Sequence, residues 1–138
     1  MVAEAPGSVR LALATNVVLL DPEPAVAIGF GYAFPCSPDY WLGPLADQVP
    51  EGARQEPLMG LCELAVRPTW QSSGTGTRLH NALLQAIAPK WSSLLALPSN
   101  QRGQDLYARL GYKYVGPYRN TPDGPEFDLL LLHIQDDA

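Results

Sequence analysis

The sequence predicts a mixed α/β fold in a single domain, with the element order β-β-β-α-β-α-β-β. Short apolar runs bounded by turn residues indicate strands, and two later segments carry apolar residues at helical spacing. Helices that alternate with strands in the second half are typical of mixed α/β domains. A chain of 138 residues can bury one sizeable core but is short for two independent domains.

The first half of the chain is predicted to form a hairpin and a long loop. Apolar runs at residues 9–20 and 25–34 flank Asp21-Pro22-Glu23-Pro24, which favours two antiparallel strands. Residues 35–57 are rich in Pro, Gly, Asp and Glu and show no sustained period, so we interpret them as a loop with room for one short helical turn. Such a loop is either a wall of a binding site or a disordered insertion.

The second half is predicted to alternate strands with two helices. Strands are expected at residues 58–66, 91–97, 113–118 and 127–134, and Pro68 stops the first of these. In residues 58–66 the side chains of 61, 63 and 65 share one face. The first helix carries Leu79, Leu83, Ala86 and Ile87 and ends before Pro89.

The second helix carries Leu106 and Leu110. Ser99 or Asn100 is expected to cap its start, and Gly111 is placed to end it in the left-handed conformation. Residues 120–125 are dense in turn residues and separate the last two strands. The tail at residues 136–138 is expected to fray.

Several classes of function are disfavoured by composition. A net charge of -5, with nine basic residues scattered along the chain, argues against direct nucleic-acid binding. No run approaches the roughly 20 apolar residues of a membrane helix and no export signal is evident, so we expect a cytoplasmic protein that does not bind membranes. The placement of Cys36, Cys62, His80 and His133 suggests neither a disulfide framework nor a metal site.

The informative segment is residues 64–77, in which an apolar strand turns abruptly into a helix through small residues. The first amides of a helix lack internal partners and carry the positive end of its dipole, so such a start can hold a pyrophosphate. Gly74 and Gly76 let phosphates approach the backbone. A dinucleotide fingerprint would need glycine where Leu79 stands, and the Gly-Lys-Ser/Thr of a P-loop is missing.

Two motifs resemble the GNAT superfamily of acyl-CoA-dependent N-acyltransferases. Gln71-Ser72-Ser73-Gly74-Thr75-Gly76 is similar to its Gln/Arg-x-x-Gly-x-Gly/Ala loop. Asn100-x-x-Gly103-x-x-Leu106-Tyr107-x-x-x-Gly111-Tyr112 resembles its Asn-x-x-Ala-x-x-Leu-Tyr-x-x-x-Gly-Phe/Tyr motif. The ending Pro125-Glu126-Phe127-Asp128 is similar to an uncharacterised bacterial subgroup. Ser72 and Gly103 replace residues more common in the family, but both are small.

The resemblance implies a mostly antiparallel sheet with two splayed strands and acetyl-CoA as co-substrate, without a metal. The pantetheine arm of the cofactor would enter the gap between residues 58–66 and 91–97. Its expected contacts are Leu64, Ala65 and Val66, and Asn100 would contact it or hold the splayed strand ends. The pyrophosphate would be held by the amides of Gln71, Ser72, Ser73, Gly74, Thr75 and Gly76, with the Thr77 hydroxyl nearby.

The same resemblance assigns two catalytic roles in direct acetyl transfer to a primary amine of a small molecule or peptide. Tyr107 would protonate the departing thiolate, or else it is a half-buried tyrosine that packs on the sheet. Glu63 is the best candidate for the base, since an apolar strand should desolvate it and raise its pKa. Its alternative role is a structural ion pair. Cys62, on the opposite strand face, lacks an evident base partner.

The chain departs from the family at its start, because most GNAT domains begin with a strand and two helices that form one wall of the acceptor site. Here the first clear strand is already at Val9. Two alternatives to an enzyme therefore stay open: a non-catalytic acyl-CoA-binding or regulatory module, and a partial domain completed by another chain. An uncovered strand edge invites such pairing, a homodimer included.

Overall fold

The computed structural model describes residues 15–22, 25–37, 43–71 and 74–134. Within these ranges the predicted order of strands and long helices is confirmed, and two short helical segments occupy the segment predicted as a loop. The strands are β1 Thr15–Pro22, β2 Ala25–Cys36, β3 Leu58–Val66, β4 Trp91–Ala96, β5 Lys113–Tyr118 and β6 Phe127–His133. The α-helices are α1 Glu51–Gln55, α2 Thr75–Ile87 and α3 Gln101–Leu110, with 3-10 turns at Gly43–Gln48 and Pro68–Trp70.

Some predicted features lie outside the described residues. They are the beginning of the first strand at residues 9–14, the turn residues Glu23 and Pro24, residues 38–42 of the predicted loop, and the tail at residues 136–138. The other boundaries agree closely with prediction. β3 and β5 have the predicted bounds, whereas β2 continues two residues further than residues 25–34.

Contacts divide the chain into two compact units that share β3. The first unit comprises Met1–Pro35 and Leu61–Ala88, and the second comprises Cys36–Gly60 and Pro89–Ala138. The first three residues of β3 therefore belong to the second unit and the rest of the strand to the first.

In the first unit the strand order is β1-β2-β3, and α2 covers one face. β1 and β2 are antiparallel, from Thr15 opposite Ala33 to Pro22 opposite Ala25. Gly29 and Gly31 of β2 let α2 approach closely. A Cβ at Gly29 would lie 2.8 Å from the Ala65 carbonyl oxygen and 3.2 Å from the Leu79 side chain, which is fully buried.

In the second unit the strand order is β3-β4-β6-β5. β4 and β5 both pair antiparallel with β6, and the β5–β6 register shifts between Tyr114 and Gly116. The start of β3 is bound to β4: the Trp91 amide donates to the Pro57 carbonyl at 3.1 Å and the Ser93 hydroxyl to the Met59 carbonyl at 3.3 Å. Both contacts advance in the same direction, as in a parallel pair.

The helix ends follow the expected chemistry. Gly111 ends α3 with φ 101°, as predicted, and Asn100 rather than Ser99 caps its start. α2 ends at Ala88, whose left-handed φ of 52° is uncommon for a residue with a side chain, immediately before Pro89. No helix in the described ranges is both long enough and apolar enough to cross a membrane.

Candidate active site

The junction between β3 and α2 is a braced turn. Pro68 ends the strand and begins a 3-10 turn, in which the Trp70 amide donates to the Arg67 carbonyl at 2.8 Å. The Gln71 side chain donates back to the Val66 carbonyl at 3.1 Å, so its amide group fastens the loop to the end of the strand. Ser72 and Ser73, both predicted to bind pyrophosphate, lie outside the described residues.

The start of α2 is open. Gly74 is the N-cap residue with φ 86°, and no side chain caps the helix. Among the described residues, no atom other than those of the chain neighbours lies within 4 Å of the position that a Cβ would occupy at Gly74. The first helical hydrogen bond runs from the Arg78 amide to the Gly74 carbonyl at 3.0 Å, so residues 75–77 form the first turn, whose amides have no acceptor inside the helix.

The charges around this helix start favour an anion. The first turn of α2 contains no acidic residue, and the exposed Arg78 follows it. Gly76 and Thr77 are half-buried, while the Thr75 side chain is buried and would meet a Cβ at Gly29 at 3.3 Å. Thr75 thus anchors the helix start to the sheet, which leaves the dipole and the backbone around Gly76 to face a ligand.

The residues predicted to line the pantetheine arm form the last part of β3. Leu64, Ala65 and Val66 are all half-buried. The described hydrogen bonds between β3 and β4 involve Pro57 and Met59, before this part of the strand. The strand gap beside Leu64, Ala65 and Val66 stays a prediction, because these residues and β4 belong to different units.

Glu63 differs from the sequence-based expectation. Its side chain is exposed, so the expected desolvation by an apolar strand is wrong: the strand turns this position to solvent. The alternative role as half of a structural ion pair is also not seen, since Glu63 forms no ion pair among the described residues. The carboxylate is therefore accessible.

Tyr32 is a residue that the sequence analysis missed. Burial, and after it the nearby Cys62 and Glu63, raise the pKa of its phenol above 10.0. A signal was present in the sequence, because residues 27–34 alternate small with large side chains: Ala27, Gly29, Gly31 and Ala33 against Ile28, Phe30, Tyr32 and Phe34. The small residues form the face under α2, and Tyr32 belongs to the opposite face.

Tyr107 lies in the last turns of α3, where the backbone is held firmly. The Tyr112 amide donates to the Tyr107 carbonyl at 3.0 Å and the Gly111 amide to the Ala108 carbonyl at 3.1 Å, which is a Schellman motif. The ring of Tyr107 meets that of Tyr112 edge to face, with centroids 5.8 Å apart. Tyr107 is half-buried, so both predicted roles remain compatible with its position.

Tyr112 anchors this arrangement to the sheet. It is buried, and its hydroxyl shares a 2.6 Å hydrogen bond with the buried Ser92 hydroxyl of β4. Burial raises the pKa of Tyr112 well above 10.0, against the lowering effect of the Ser92 hydrogen bond, and Tyr107 raises it further. The neutral Tyr112 therefore fixes the backbone and ring contacts of Tyr107.

Asn100 is engaged within its own helix. Its side-chain oxygen accepts from the Gly103 amide at 3.1 Å. A Cβ at residue 103 would lie 2.9 Å from the Asn100 Cγ, which explains why glycine suits this position although the family more often has alanine. Asn100 is exposed, and its predicted contact with pantetheine would compete with this cap.

The predicted site residues thus fall into two groups. Glu63 to Thr77 form one continuous stretch of the first unit, whereas Asn100 and Tyr107 belong to the second.

A family model described as an acetyltransferase (GNAT) domain matches residues 17–114, which is more than half of the chain. The chain belongs to the GNAT family. The matched range includes the β3–α2 junction and the candidate site residues Asn100 and Tyr107. No curated protein matches the sequence.

Solved GNAT structures show the same fold. NAA60 from Arabidopsis thaliana, in complex with a bisubstrate analogue, has a TM-score of 0.67 at 16% identity over 89% of this chain and 77% of that chain. The ribosomal-protein-S18-alanine N-acetyltransferase from Escherichia coli has a TM-score of 0.60 at 21% identity, over 91% and 72%. Naa50 from Arabidopsis thaliana, in complex with the bisubstrate analogue CoA-Ac-MVNAL, has 0.55 at 13% identity, over 79% and 67%.

Proposed function

We propose that this chain binds acetyl-CoA and transfers its acetyl group directly to a primary amine of a small molecule or peptide. The observation that carries the proposal is the start of α2, where the N-cap is Gly74, no side chain of the described residues caps the helix, and the first turn contains no acidic residue. A diphosphate placed there would meet the amides of the first turn, which have no acceptor inside the helix, and the positive end of the helix dipole. The residues that would hold the diphosphate are Gln71, Ser72, Ser73, Gly74, Thr75, Gly76 and Thr77.

The chemistry needs a base, an acid and a donor to the oxyanion. The neutral amine attacks the thioester carbonyl, a C–N bond forms, and Glu63 accepts the proton lost by nitrogen, directly or through water. A backbone amide of β3 stabilises the tetrahedral oxyanion. The C–S bond then breaks, and Tyr107 gives its proton to the departing thiolate, so that free coenzyme A leaves. Exchange with solvent then removes the proton from Glu63 and returns one to the Tyr107 phenolate.

The structural neighbours support an amine acceptor. One is an N-acetyltransferase of a protein alanine, and two are bound to bisubstrate analogues, one of which joins coenzyme A to an acetylated peptide. The net charge of -5 adds a general attraction for cationic acceptors.

The cofactor site is tested by thermal shift with coenzyme A. The wild-type protein should gain roughly 2.7 kcal/mol of stability at a ligand concentration about 100 times Kd. Gly76→Asp sets a carboxylate against the phosphates and should abolish this gain. The variant should still fold, because an acidic residue in the first turn stabilises a helix.

Gln85→Asp is the matched control, since it puts the same carboxylate on an exposed position near the other end of α2. It should keep the full response to coenzyme A. Equal responses from Gly76→Asp and Gln85→Asp would exclude the helix start as the phosphate site.

Transfer itself is tested by thiol release from acetyl-CoA with a panel of primary amines. Release should require an added amine, and Tyr107→Phe should lower kcat by roughly 10²- to 10⁴-fold without changing the affinity for coenzyme A. Tyr114→Phe, at an exposed tyrosine of β5, is the control. Coenzyme A binding without release from any amine would instead identify a non-catalytic binding module.

A further inference from the structure

The register of β2 and β3 places Tyr32 opposite Glu63. The Arg67 amide donates to the Ile28 carbonyl at 2.8 Å, which pairs these two positions. In an antiparallel pair, the residue four positions after Ile28 lies opposite the residue four positions before Arg67, so Tyr32 lies opposite Glu63. Side chains alternate between the two faces of a strand, so both of these side chains lie on the face opposite α2. Directly opposed side chains in a sheet have Cβ atoms about 5 Å apart, within contact range of each other and of a small ligand.

Solvent reaches Tyr32 and Glu63, although other residues on the same face of the sheet are buried. Ile28, Phe34 and Leu61 are buried, whereas Tyr32 is half-buried and Glu63 is exposed. An aromatic ring and a carboxylate thus lie side by side in a partly apolar surface that solvent and a ligand can reach.

The carboxylate also lacks a counter-ion within the described ranges. Glu63 forms no ion pair there, and the nearest cation on its face of β3 is Arg67, about 13 Å away along the strand. The Arg67 guanidinium is bound to the Ala27 carbonyl through Nε at 2.5 Å. Arg67 is thus engaged by a backbone acceptor of β2 and forms no ion pair with Glu63.

We propose that Tyr32 and Glu63 together form the subsite for the acceptor ammonium group, with the cation against the tyrosine ring and beside the carboxylate. This inference rests on the proposed transfer to an amine and specifies its substrate class: alkyl amines that are cationic near neutral pH. An aromatic face attracts an ammonium by about 0.5–2 kcal/mol, and the exposed carboxylate adds a charge-assisted hydrogen bond. The raised pKa of Tyr32, to which Glu63 contributes, agrees with their proximity.

Transfer still requires the bound cation to become a neutral nucleophile, and the Glu63 carboxylate is placed to relay the proton. The ammonium loses one proton to Glu63, which passes it to solvent, and the resulting neutral nitrogen attacks the thioester. The overall reaction converts an alkylammonium and acetyl-CoA into an amide, free coenzyme A and one proton. Tyr32 binds the substrate but takes no proton, so its loss should affect acceptor binding more than turnover.

The test compares n-butylamine, which is cationic near neutral pH, with aniline, which is neutral. Tyr32→Leu should raise the KM for n-butylamine roughly fivefold, with kcat and the KM for acetyl-CoA unchanged, and should leave the KM for aniline within about twofold of wild type. Tyr32→Phe keeps the ring and should behave as wild type. Tyr114→Leu removes an exposed tyrosine elsewhere and is the control.

A binding measurement separates failure of this inference from failure of the proposed transfer. Tetramethylammonium cannot be acetylated, so its Kd, measured by NMR titration, tests the subsite even if no amine is turned over. Tyr32→Leu and Glu63→Gln should each weaken its binding roughly fivefold, and Tyr32→Phe should not. The assignment would be overturned if Tyr32→Leu and Glu63→Gln both bound tetramethylammonium as tightly as wild type. It would also be overturned if Tyr32→Leu raised the KM values for n-butylamine and aniline equally.

Discussion

The two strand-to-helix junctions of the chain differ in whether a side chain caps the start of the helix. Between β4 and α3, the Asn100 side chain accepts from the Gly103 amide, so the helix start is closed by its own sequence. Between β3 and α2, the N-cap is Gly74, which has no side chain to offer. A glycine N-cap costs only a few tenths of a kcal/mol relative to Asn or Ser, and it leaves the first turn without an acceptor from the N-cap side chain.

The difference also shows how each junction is supported. The α3 start uses a local cap, with further bonds from the Gln104 side chain to the Leu97 carbonyl and to Asp128. The α2 start depends instead on long-range packing, because Thr75 and Leu79 lie over Gly29. The position of the α2 start therefore depends on the sheet beneath it.

Gly29→Ala should break the open junction and have the largest effect. The new Cβ would lie 2.8 Å from the Ala65 carbonyl oxygen, which is backbone and cannot rotate away, and close to Leu79 and Thr75. We expect a loss of about 1–3 kcal/mol in the free energy of unfolding, measured in urea, together with weaker coenzyme A binding.

Ala27→Val is the control for Gly29→Ala, since residue 27 has the same strand orientation but is exposed. It should change stability by no more than about 0.5 kcal/mol. If Gly29→Ala had the same free energy of unfolding as wild type, the start of α2 would not depend on its close packing against β2.

Much of this organisation could be predicted from the sequence, for identifiable reasons. Pro68, Asn100 and Gly111 act through local backbone chemistry, and each fulfils its predicted structural role. The exposure of Glu63 could not be predicted, because an apolar strand pattern does not reveal which of its positions are covered by other elements.

Tyr32 was missed for the same kind of reason. Its importance depends on pairing with a strand about thirty residues later, and pairing register is a tertiary property. The alternation of small and large residues along β2 does carry information, since it specifies a face that a helix can approach. It does not indicate which large residue stays accessible.

The two junctions should also differ in their response to pH. α2 carries His80, whose pKa burial lowers from 6.5 against the effect of a hydrogen bond with Asn81, whereas α3 contains no buried residue. The folded protein holds His80 neutral, and the unfolded chain protonates below pH 6.5. Stability conferred by the neutral form is therefore complete above 6.5 and is lost as pH falls toward the lower pKa of the folded state.

Urea unfolding between about pH 7.5 and about pH 5.5 checks this, with a slope of at most about 1.4 kcal/mol per pH unit for one proton. His80→Leu should flatten the slope. The same slope in His80→Leu as in wild type would assign the pH response to other groups.

The closed junction offers the smallest but most specific test. Asn100→Ala should cost about 1 kcal/mol by removing the cap, and Asn100→Ser should restore most of it.

Gly103→Ala should have little net effect in the wild-type background: alanine gains up to about 1 kcal/mol in helix propensity, but its Cβ displaces the Asn100 side chain from the cap. With Asn100→Ala already in place there is no cap to lose, so the same substitution should stabilise the protein. We therefore expect a coupling of about 1 kcal/mol between the two sites in a double-mutant cycle of unfolding free energies. If the effects of the two substitutions were additive, the Asn100 side chain would have to move aside while keeping its hydrogen bond.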